Sequence, residues 1–179
     1  MLNVSTSTNT KKKGTSLMIR FIIDEEALRN DPKVPQWIKD NPQVLMPERK
    51  RRTSAGYDIK MPVDFVMKNT VTRCHVVDSY IKIEMSPEYV AEMYVRSSVG
   101  VKKYTQLMNS VGIIDSDYKD TIKIPLYFFG PRALELKAGD GIVQMLFKKY
   151  EITDDDVLVN MEKPIRTGGI GSTDKPQNK

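Results

Sequence analysis

From Ser54 onward the chain is a succession of short runs rich in Val, Ile, Tyr and Phe, separated by Gly, Pro, Asp and Asn. These runs read AGYDIKMP, DFVMK, VTRCHVVDSYIKIEM, AEMYVRSS, SVGII, TIKIPLYFFG and GDGIVQMLFKKYEI. Branched and aromatic residues favour strands, and the turn residues between the runs keep each strand short. The pattern therefore predicts an all-β fold, either a barrel or a sandwich.

The length of 179 residues is enough for one well-buried core and too short for two full domains. We predict a disordered leader over residues 1–17, which lack apolar periodicity, and a single domain over residues 18–160. Within that domain, residues 24–53 contain closely spaced prolines and indicate an extra, partly helical segment. Residues 161–179 are predicted to form a flexible C-terminal arm.

Several classes of function are excluded by residue types that are scarce in this chain. Cys74 and His75 are the only cysteine and the only histidine, so an intramolecular disulfide, a histidine-based triad and a multi-histidine metal site are impossible. There is no run of eighteen apolar residues, so we expect no membrane span, and a reducing cytoplasm fits the single cysteine. The net charge of +5 is consistent with polyanionic ligands, and a solvated basic surface explains it equally well. Neither basic run, at 11–13 and 49–52, contains an aromatic residue, so we expect no direct nucleic-acid binding.

The stretch GIIDSDYKD at residues 112–120 places two carboxylates and one phenol within four positions. The apolar residues before it and the alternating residues after it predict a hairpin, with Asp115, Asp117 and Tyr118 at its turn. Side chains alternate between faces, so Asp115 and Asp117 lean the same way. Two interpretations are open here, because paired acids suit base or metal chemistry, whereas Asp also closes ordinary turns.

Three further segments have the composition of an anion site. The tail RTGGIGST joins Arg166 to glycine amides that can wrap phosphate oxygens, although a plain glycine-serine tail looks the same. Arg96 precedes Ser97 and Ser98 at a predicted strand-to-loop exit, where the alternative is an ordinary strand end with an ion-paired arginine. Gln144 lies in an apolar strand, and if it is buried it needs backbone or a ligand as its hydrogen-bond partner.

Taken in order, these segments resemble the five motifs of the trimeric dUTPase family across roughly residues 54–174. The motifs read AGYDI at 55–59, VRSSVGVKK at 95–103, NSVGIIDSDYKDTI at 109–122, GDGIVQMLF at 139–147 and RTGGIGST at 166–173. Five motifs in the family's order make the resemblance specific. The spacing between Arg96 and Asp115 also matches that of the family.

The resemblance implies a subunit that is a distorted β-barrel of jelly-roll type. It implies a homotrimer with a site at each subunit interface, in which the C-terminal arm of one subunit closes a neighbour's site. The substrate would be dUTP, hydrolysed to dUMP and pyrophosphate with Mg²⁺ as cofactor, which keeps uracil out of DNA. The triphosphate would provide most of the ligands of the metal ion, and Asp58 would either hold the site together or contact a water bound to the ion.

The resemblance also implies roles for single residues. Asp115 would orient and deprotonate the water that attacks the α-phosphorus. Asn109 would lie beside the uracil, Tyr118 would pack under the deoxyribose, and Arg166 would clamp the terminal phosphate. The implied substrate-binding residues are Arg96, Ser97, Ser98, Asn109, Gly112, Ile114, Tyr118, Gln144, Arg166, Gly169, Ile170 and Ser172.

Some positions depart from the family's usual pattern. Val95 stands in place of proline, Ser98 and Asp120 in place of glycine, and Gly141 in place of arginine. Ile170 replaces the phenylalanine that normally stacks on uracil. We predict weaker base stacking and a raised substrate requirement, with the chemistry kept.

Two rival functions fit the same scaffold. A dCTP deaminase shares the fold and an arginine followed by two serines, but its catalytic glutamate motif is not visible between Thr121 and Leu126. The other rival is a regulatory protein that a nucleotide switches and that binds a partner through residues 24–53. Nucleotide binding without pyrophosphate release would favour this second rival.

Overall fold

The computed structural model describes residues 19–68 and 74–159. Its strands are β1 (Ile19–Ile23), β2 (Tyr57–Lys60), β3 (Phe65–Met67), β4 (Cys74–Asp78), β5 (Ile81–Met85), β6 (Tyr89–Val95), β7 (Thr105–Leu107), β8 (Gly112–Ile114), β9 (Lys123–Phe128), β10 (Leu134–Leu136) and β11 (Gly141–Lys149). The helices are α1 (Glu25–Asn30), α2 (Gln36–Asp40), α3 (Ser97–Lys103) and α4 (Asp154–Val159), with a 3-10 helix at Pro42–Leu45. Strands dominate, which confirms the predicted β class. The predicted leader and C-terminal arm lie outside the described residues.

Within residues 19–68 and 74–159, the strands pair in an antiparallel manner and form four small sheets. The largest has the order β2-β11-β6-β8, and a second has the order β4-β9-β7. Two-stranded sheets pair β1 with β5 and β10 with β3. Because strands distant in sequence are neighbours, such as β2 and β11, the fold brings the first and fourth motifs side by side.

The sheets enclose one main apolar core to which every one of these strands contributes. Strand β9 shows how the alternating sequence achieves this, because Ile124, Leu126 and Phe128 are buried while the residues between them are partly exposed. Complete burial of an aliphatic or aromatic side chain stabilises a fold by about 1.5–3 kcal/mol. The core is therefore a rigid support for the strand ends and loops around it.

The segment at residues 24–53 folds into short helices around a smaller apolar cluster. The Asp24 side chain accepts a hydrogen bond from the amide of Ala27 at 3.1 Å and so begins α1. The Tyr80 hydroxyl donates to Asp31 Oδ2 at 2.6 Å. The buried members of this cluster are Leu28, Val34, Ile38, Leu45 and Tyr80. This packing fixes the segment to the body of the protein.

The predicted hairpin around Asp115 is wrong. Strand β8 pairs with β6, whereas β9 pairs with β4 and β7, so the residues between β8 and β9 form a crossing between two sheets. Within this crossing Tyr118 is buried in the core, and its hydroxyl donates to the carbonyl of Thr121 at 3.0 Å. Alternation along a chain predicts strands, but it does not reveal which strand each one pairs with.

The predicted loop after Arg96 is a seven-residue helix, α3. Ser, Val and Gly are weak helix formers, so local propensity argued against a helix here. Burial of Val99 compensates, and the helix ends at Tyr104, whose backbone is left-handed with φ of 50°. In the two described ranges no helix is long and apolar enough to cross a membrane.

Candidate active site

A cavity of about 520 Å³ opens where β2, β11, the end of β6 and the start of α3 meet. The predicted site residues that line it are Asp58, Arg96, Ser97, Ser98 and Gln144. They come from three of the sequence motifs, which are far apart along the chain. The structure therefore brings together the charged and polar groups that the first, second and fourth motifs predicted.

Strand register places three of the lining side chains in one row across the sheet. Gln144 on β11 lies opposite Asp58 on β2 and also opposite Tyr94 on β6. Directly opposed residues of antiparallel strands point to the same face of a sheet. The carboxylate, the amide and the phenol therefore line a single wall of the cavity.

Arg96, at the end of β6, contacts both β11 and β2 across this wall. Its Nη1 donates to the carbonyl of Gly141 at 2.8 Å, and its Nη2 lies 3.2 Å from Asp58 Oδ2. Asp58 is only 6% exposed, and its Oδ2 makes no hydrogen bond to any described residue despite the nearby guanidinium. A buried carboxylate oxygen with unused hydrogen-bonding capacity is a natural partner for a water, a ligand or an ion.

Two glycines keep space free for these side chains. A Cβ at Gly141 would lie 2.5 Å from Arg96 Nη1, and a Cβ at Gly56 would lie 2.8 Å from Gln144 Oε1. Both distances are far shorter than ordinary contacts between side chains. Arg96 in its observed position occupies the space of a Cβ at Gly141, so a side chain there would require the guanidinium to shift.

The lining residues that were not among the predicted site residues are Lys50, Ser54, Ala55, Gly56, Tyr94 and Leu146. The Tyr94 hydroxyl donates to Glu92, which also pairs with Lys148 Nζ at 2.6 Å. The bond to Glu92 raises the pKa of the Tyr94 phenol, so the hydroxyl stays protonated. Tyr94 alternates with core residues along β6, and only its register opposite Gln144 reveals its position.

The remaining predicted residues of the described chain lie elsewhere. None of Asn109, Gly112, Ile114, Asp115 and Tyr118 lines this cavity. Ile114 pairs with Ala91, which is five residues before Arg96, so the two sites are separated by roughly 17 Å along β6. Because β8 runs antiparallel to β6, the chain at Asp115 is heading away from Arg96.

The predicted site residues outside the cavity form a second group with its own geometry, which consists of Asn109, Gly112, Ile114, Asp115 and Tyr118. Asn109 and Ser110 form a tight turn, in which the Ser110 amide donates to the carbonyl of Leu107 at 3.0 Å and Ser110 has φ of 63°. A Cβ at Gly112 would lie 2.8 Å from Met93 Cε, so the bare backbone of β8 packs closely on β6. Asp115 accepts a hydrogen bond at its carbonyl from the Tyr118 amide at 3.1 Å.

Arg166, Gly169, Ile170 and Ser172 lie outside the described residues. A larger cavity of about 610 Å³ lies beside the C-terminal end of α3, and none of the predicted site residues of the described chain lines it. Among residues 19–68 and 74–159, no three His, Cys, Asp or Glu side chains cluster closely enough to hold a metal ion. The smaller cavity is thus the candidate site on chemical grounds.

Comparison with known proteins gives consistent matches. The family model described as dUTPase matches residues 43–173. The deoxyuridine 5′-triphosphate nucleotidohydrolase of Lactococcus lactis is 32% identical over 139 residues, covering 74% of this chain and 90% of that protein. The crystal structure of a dUTPase from Streptococcus mutans has a TM-score of 0.58 at 28% identity and covers 63% of this chain and 91% of that one.

A further solved structure, a mutant dUTPase from phage phi11 of S. aureus, has a TM-score of 0.57 and covers 76% of this chain and 94% of that one. Its description names the coordination of a structural Mg(II) ion. At 16% identity this likeness shows the fold alone. The matched family model covers all five motifs, and it confirms the family that they predicted. The chain belongs to the dUTPase family.

Proposed function

We propose that this protein hydrolyses dUTP to dUMP and pyrophosphate. The observation that carries the proposal is the cavity in which Arg96, the hydroxyls of Ser97 and Ser98, and the amide of Gln144 converge beside the buried Asp58. A guanidinium together with neutral donors suits a chain of phosphates, because charge-assisted bonds to phosphate oxygens are strong. The relatives named as deoxyuridine 5′-triphosphate nucleotidohydrolases support the same reaction.

The complete site is shared between subunits of a homotrimer. One subunit holds the phosphate cavity and Asp115 about 17 Å or more apart along β6, too far for one nucleotide α-phosphate to touch both. A heterologous interface that closes into a ring would place Asp115 of one copy against the cavity of the next. The separation within the subunit therefore supports the trimer that the motifs predicted.

In this composite site Asp115 acts as the general base. It accepts a proton from water as the water oxygen bonds to the α-phosphorus. The bond from that phosphorus to the oxygen bridging the α- and β-phosphates breaks, and pyrophosphate leaves with the electron pair. Arg96 and the serine hydroxyls hold the phosphates in place and stabilise the charge that develops on their oxygens.

The second group of residues and the C-terminal arm bind the nucleoside. Asn109 lies beside the uracil, the backbone at Gly112 and Ile114 frames it, and Tyr118 packs under the deoxyribose. The arm then covers the nucleotide, and the arm residues proposed to contact it are Arg166, Gly169, Ile170 and Ser172. These assignments are proposals, which rest on the matched motifs and on the tight turn at Asn109.

The residues present fit a Mg²⁺ ion that is held mainly by the triphosphate. Asp58 Oδ2 is buried in the cavity wall and makes no hydrogen bond to a described residue, so it can accept one from a metal-bound water. When bound, Mg²⁺ neutralises charge on the phosphate oxygens. Asp58 and Gln144, opposite each other on β2 and β11, are the side chains proposed to face it.

Pyrophosphate release from dUTP, dCTP, dTTP and UTP tests the proposal, with Asp115→Asn beside the parent protein. Asp155→Asn is the matched control, because Asp155 is exposed and has no described partner. We expect release from dUTP alone, lost in Asp115→Asn and kept in Asp155→Asn. Ammonia release from dCTP would indicate the deaminase instead. Tight dUTP binding without any pyrophosphate would indicate the regulatory protein. A cytoplasmic location and the expected lack of direct nucleic-acid binding stay predictions.

A further inference from the structure

One cationic side chain from the segment before β2 lines the candidate site. Lys50 lines the cavity together with Asp58 and Arg96, although it belongs to residues 24–53 and to none of the five motifs. We propose that Lys50 binds the triphosphate chain of the nucleotide and thereby makes this segment part of the substrate site. This inference rests on the proposed hydrolysis of dUTP.

A backbone bridge fixes Lys50 at the cavity. The Asp58 amide donates to the carbonyl of Glu48 at 2.9 Å, and the Glu48 amide donates to the carbonyl of Asp58 at 3.4 Å. The residue two positions after Glu48 is therefore held beside the strand that carries Asp58. The basic stretch at 49–52 is brought to the site by this bridge.

The surroundings of Glu48 leave Lys50 free to move to a ligand. Glu48 Oε1 lies 2.6 Å from Lys50 Nζ and 3.1 Å from Lys60 Nζ, so two cations share one carboxylate. Lys60 also donates to the carbonyl of Val44 at 2.7 Å, and its side chain is only 16% exposed, against 53% for Lys50. Lys60 can thus keep Glu48 paired when Lys50 turns away. The hydrogen bonds from both lysines lower the pKa of Glu48, so the carboxylate is charged at neutral pH.

The charge balance of the cavity explains why a second cation matters. Arg96 lies against the Asp58 carboxylate, so these two lining groups cancel. Lys50 is the other cationic side chain that lines this cavity in the described chain, and it changes the local charge from zero to +1. A triphosphate carries several negative charges and a monophosphate carries fewer. Attraction to Lys50 therefore increases with the number of phosphates.

The test compares binding of dUMP and of the non-hydrolysable α,β-imido analogue of dUTP, by calorimetric titration with Mg²⁺. We expect Lys50→Met to weaken analogue binding about tenfold and to leave dUMP binding within about twofold, because one charge-assisted bond to phosphate is lost. The loss should shrink at high salt, since Lys50 is half exposed. Glu48→Gln should tighten analogue binding, because it releases Lys50 from its carboxylate.

Matched variants separate this role from a structural one. Arg51→Met removes a neighbouring exposed cation that does not line the cavity, and it should leave both affinities unchanged. Lys50→Arg should retain most of the affinity for the analogue. If Lys50→Met weakens the binding of dUMP and of the analogue equally, or changes neither affinity, while the parent protein still hydrolyses dUTP, the role of Lys50 is overturned. A parent protein that neither binds the analogue nor releases pyrophosphate contradicts the proposed function itself.

Discussion

Gly141 and Arg96 form a coupled pair whose energetics can be measured. In Gly141→Ala the added methyl group would lie 2.5 Å from Arg96 Nη1, so the guanidinium must move by about 1 Å or more to reach an ordinary contact distance. That movement breaks the 2.8 Å bond to the Gly141 carbonyl and withdraws Nη2 from Asp58. Asp58, which is 6% exposed, then loses its counterion.

The size of the effect follows from burial. Removal of one partner from a fully buried ion pair costs about 3–5 kcal/mol. Because the Arg96 side chain is 30% exposed and water can enter the cavity, we expect about 2 kcal/mol for Gly141→Ala and a similar value for Arg96→Met. In urea unfolding at fixed protein concentration, 2 kcal/mol moves the midpoint by about 1 M.

The double variant distinguishes this explanation from a general intolerance of substitution. Once Arg96→Met has removed the guanidinium, the methyl group at residue 141 has room, so Arg96→Met with Gly141→Ala should cost no more than Arg96→Met alone. The coupling free energy is then about −2 kcal/mol. Additive costs, or a Gly141→Ala variant as stable as the parent, would show that Arg96 and Gly141 are not coupled.

Three further predictions concern other parts of the molecule. Gly56→Ala places a Cβ 2.8 Å from Gln144 Oε1, so the Gln144 amide must turn away. Calorimetric titration should then show about tenfold weaker binding of the imido analogue. Unchanged affinity would contradict the proposed contact between Gln144 and the nucleotide. Tyr80→Phe removes the bond to Asp31 and should cost about 1 kcal/mol at neutral pH in urea unfolding. The hydrogen bond from Tyr80 is the main cause that holds the pKa of Asp31 below 3.8. The loss of stability in Tyr80→Phe should therefore shrink as the pH falls below 3.8, because Asp31 then becomes protonated in the parent as well. A loss of stability that does not depend on pH would contradict this role of the hydrogen bond. Ile170→Phe should tighten analogue binding through base stacking, and an unchanged dissociation constant argues against the predicted stacking position.

Part of the candidate cavity was predictable because its residues carry unusual local chemistry. Arg96 with two serines and Gln144 within an apolar strand stand out in the sequence, and the fold places both at one wall. Lys50 does not stand out among the basic residues at 49–52. Its place in the cavity depends on the bridge between Glu48 and Asp58, a tertiary contact that no local pattern encodes.

The structure around Asp115 was harder to predict from the sequence than the candidate cavity. The strand on each side of Asp115 was predicted, but the hairpin was wrong because pairing partners depend on the whole sheet order. Likewise, the weak helix formers of α3 concealed a helix that burial of Val99 stabilises. Strand existence is encoded locally, whereas pairing and cavity membership are decided by packing.

Complementation between subunits tests whether the active site is shared between two copies of the chain. Asp115→Asn and the double variant Ser97→Ala with Ser98→Ala should each release almost no pyrophosphate from dUTP. Unfolded together in equal amounts and refolded, they should form mixed trimers, confirmed by native mass measurement. Each mixed trimer has one site of about three that combines an intact cavity with an intact Asp115, which is about one quarter of the sites over all trimers. About a quarter of the parent activity should return if the site is shared, whereas mixed trimers that stay inactive would show that it is not.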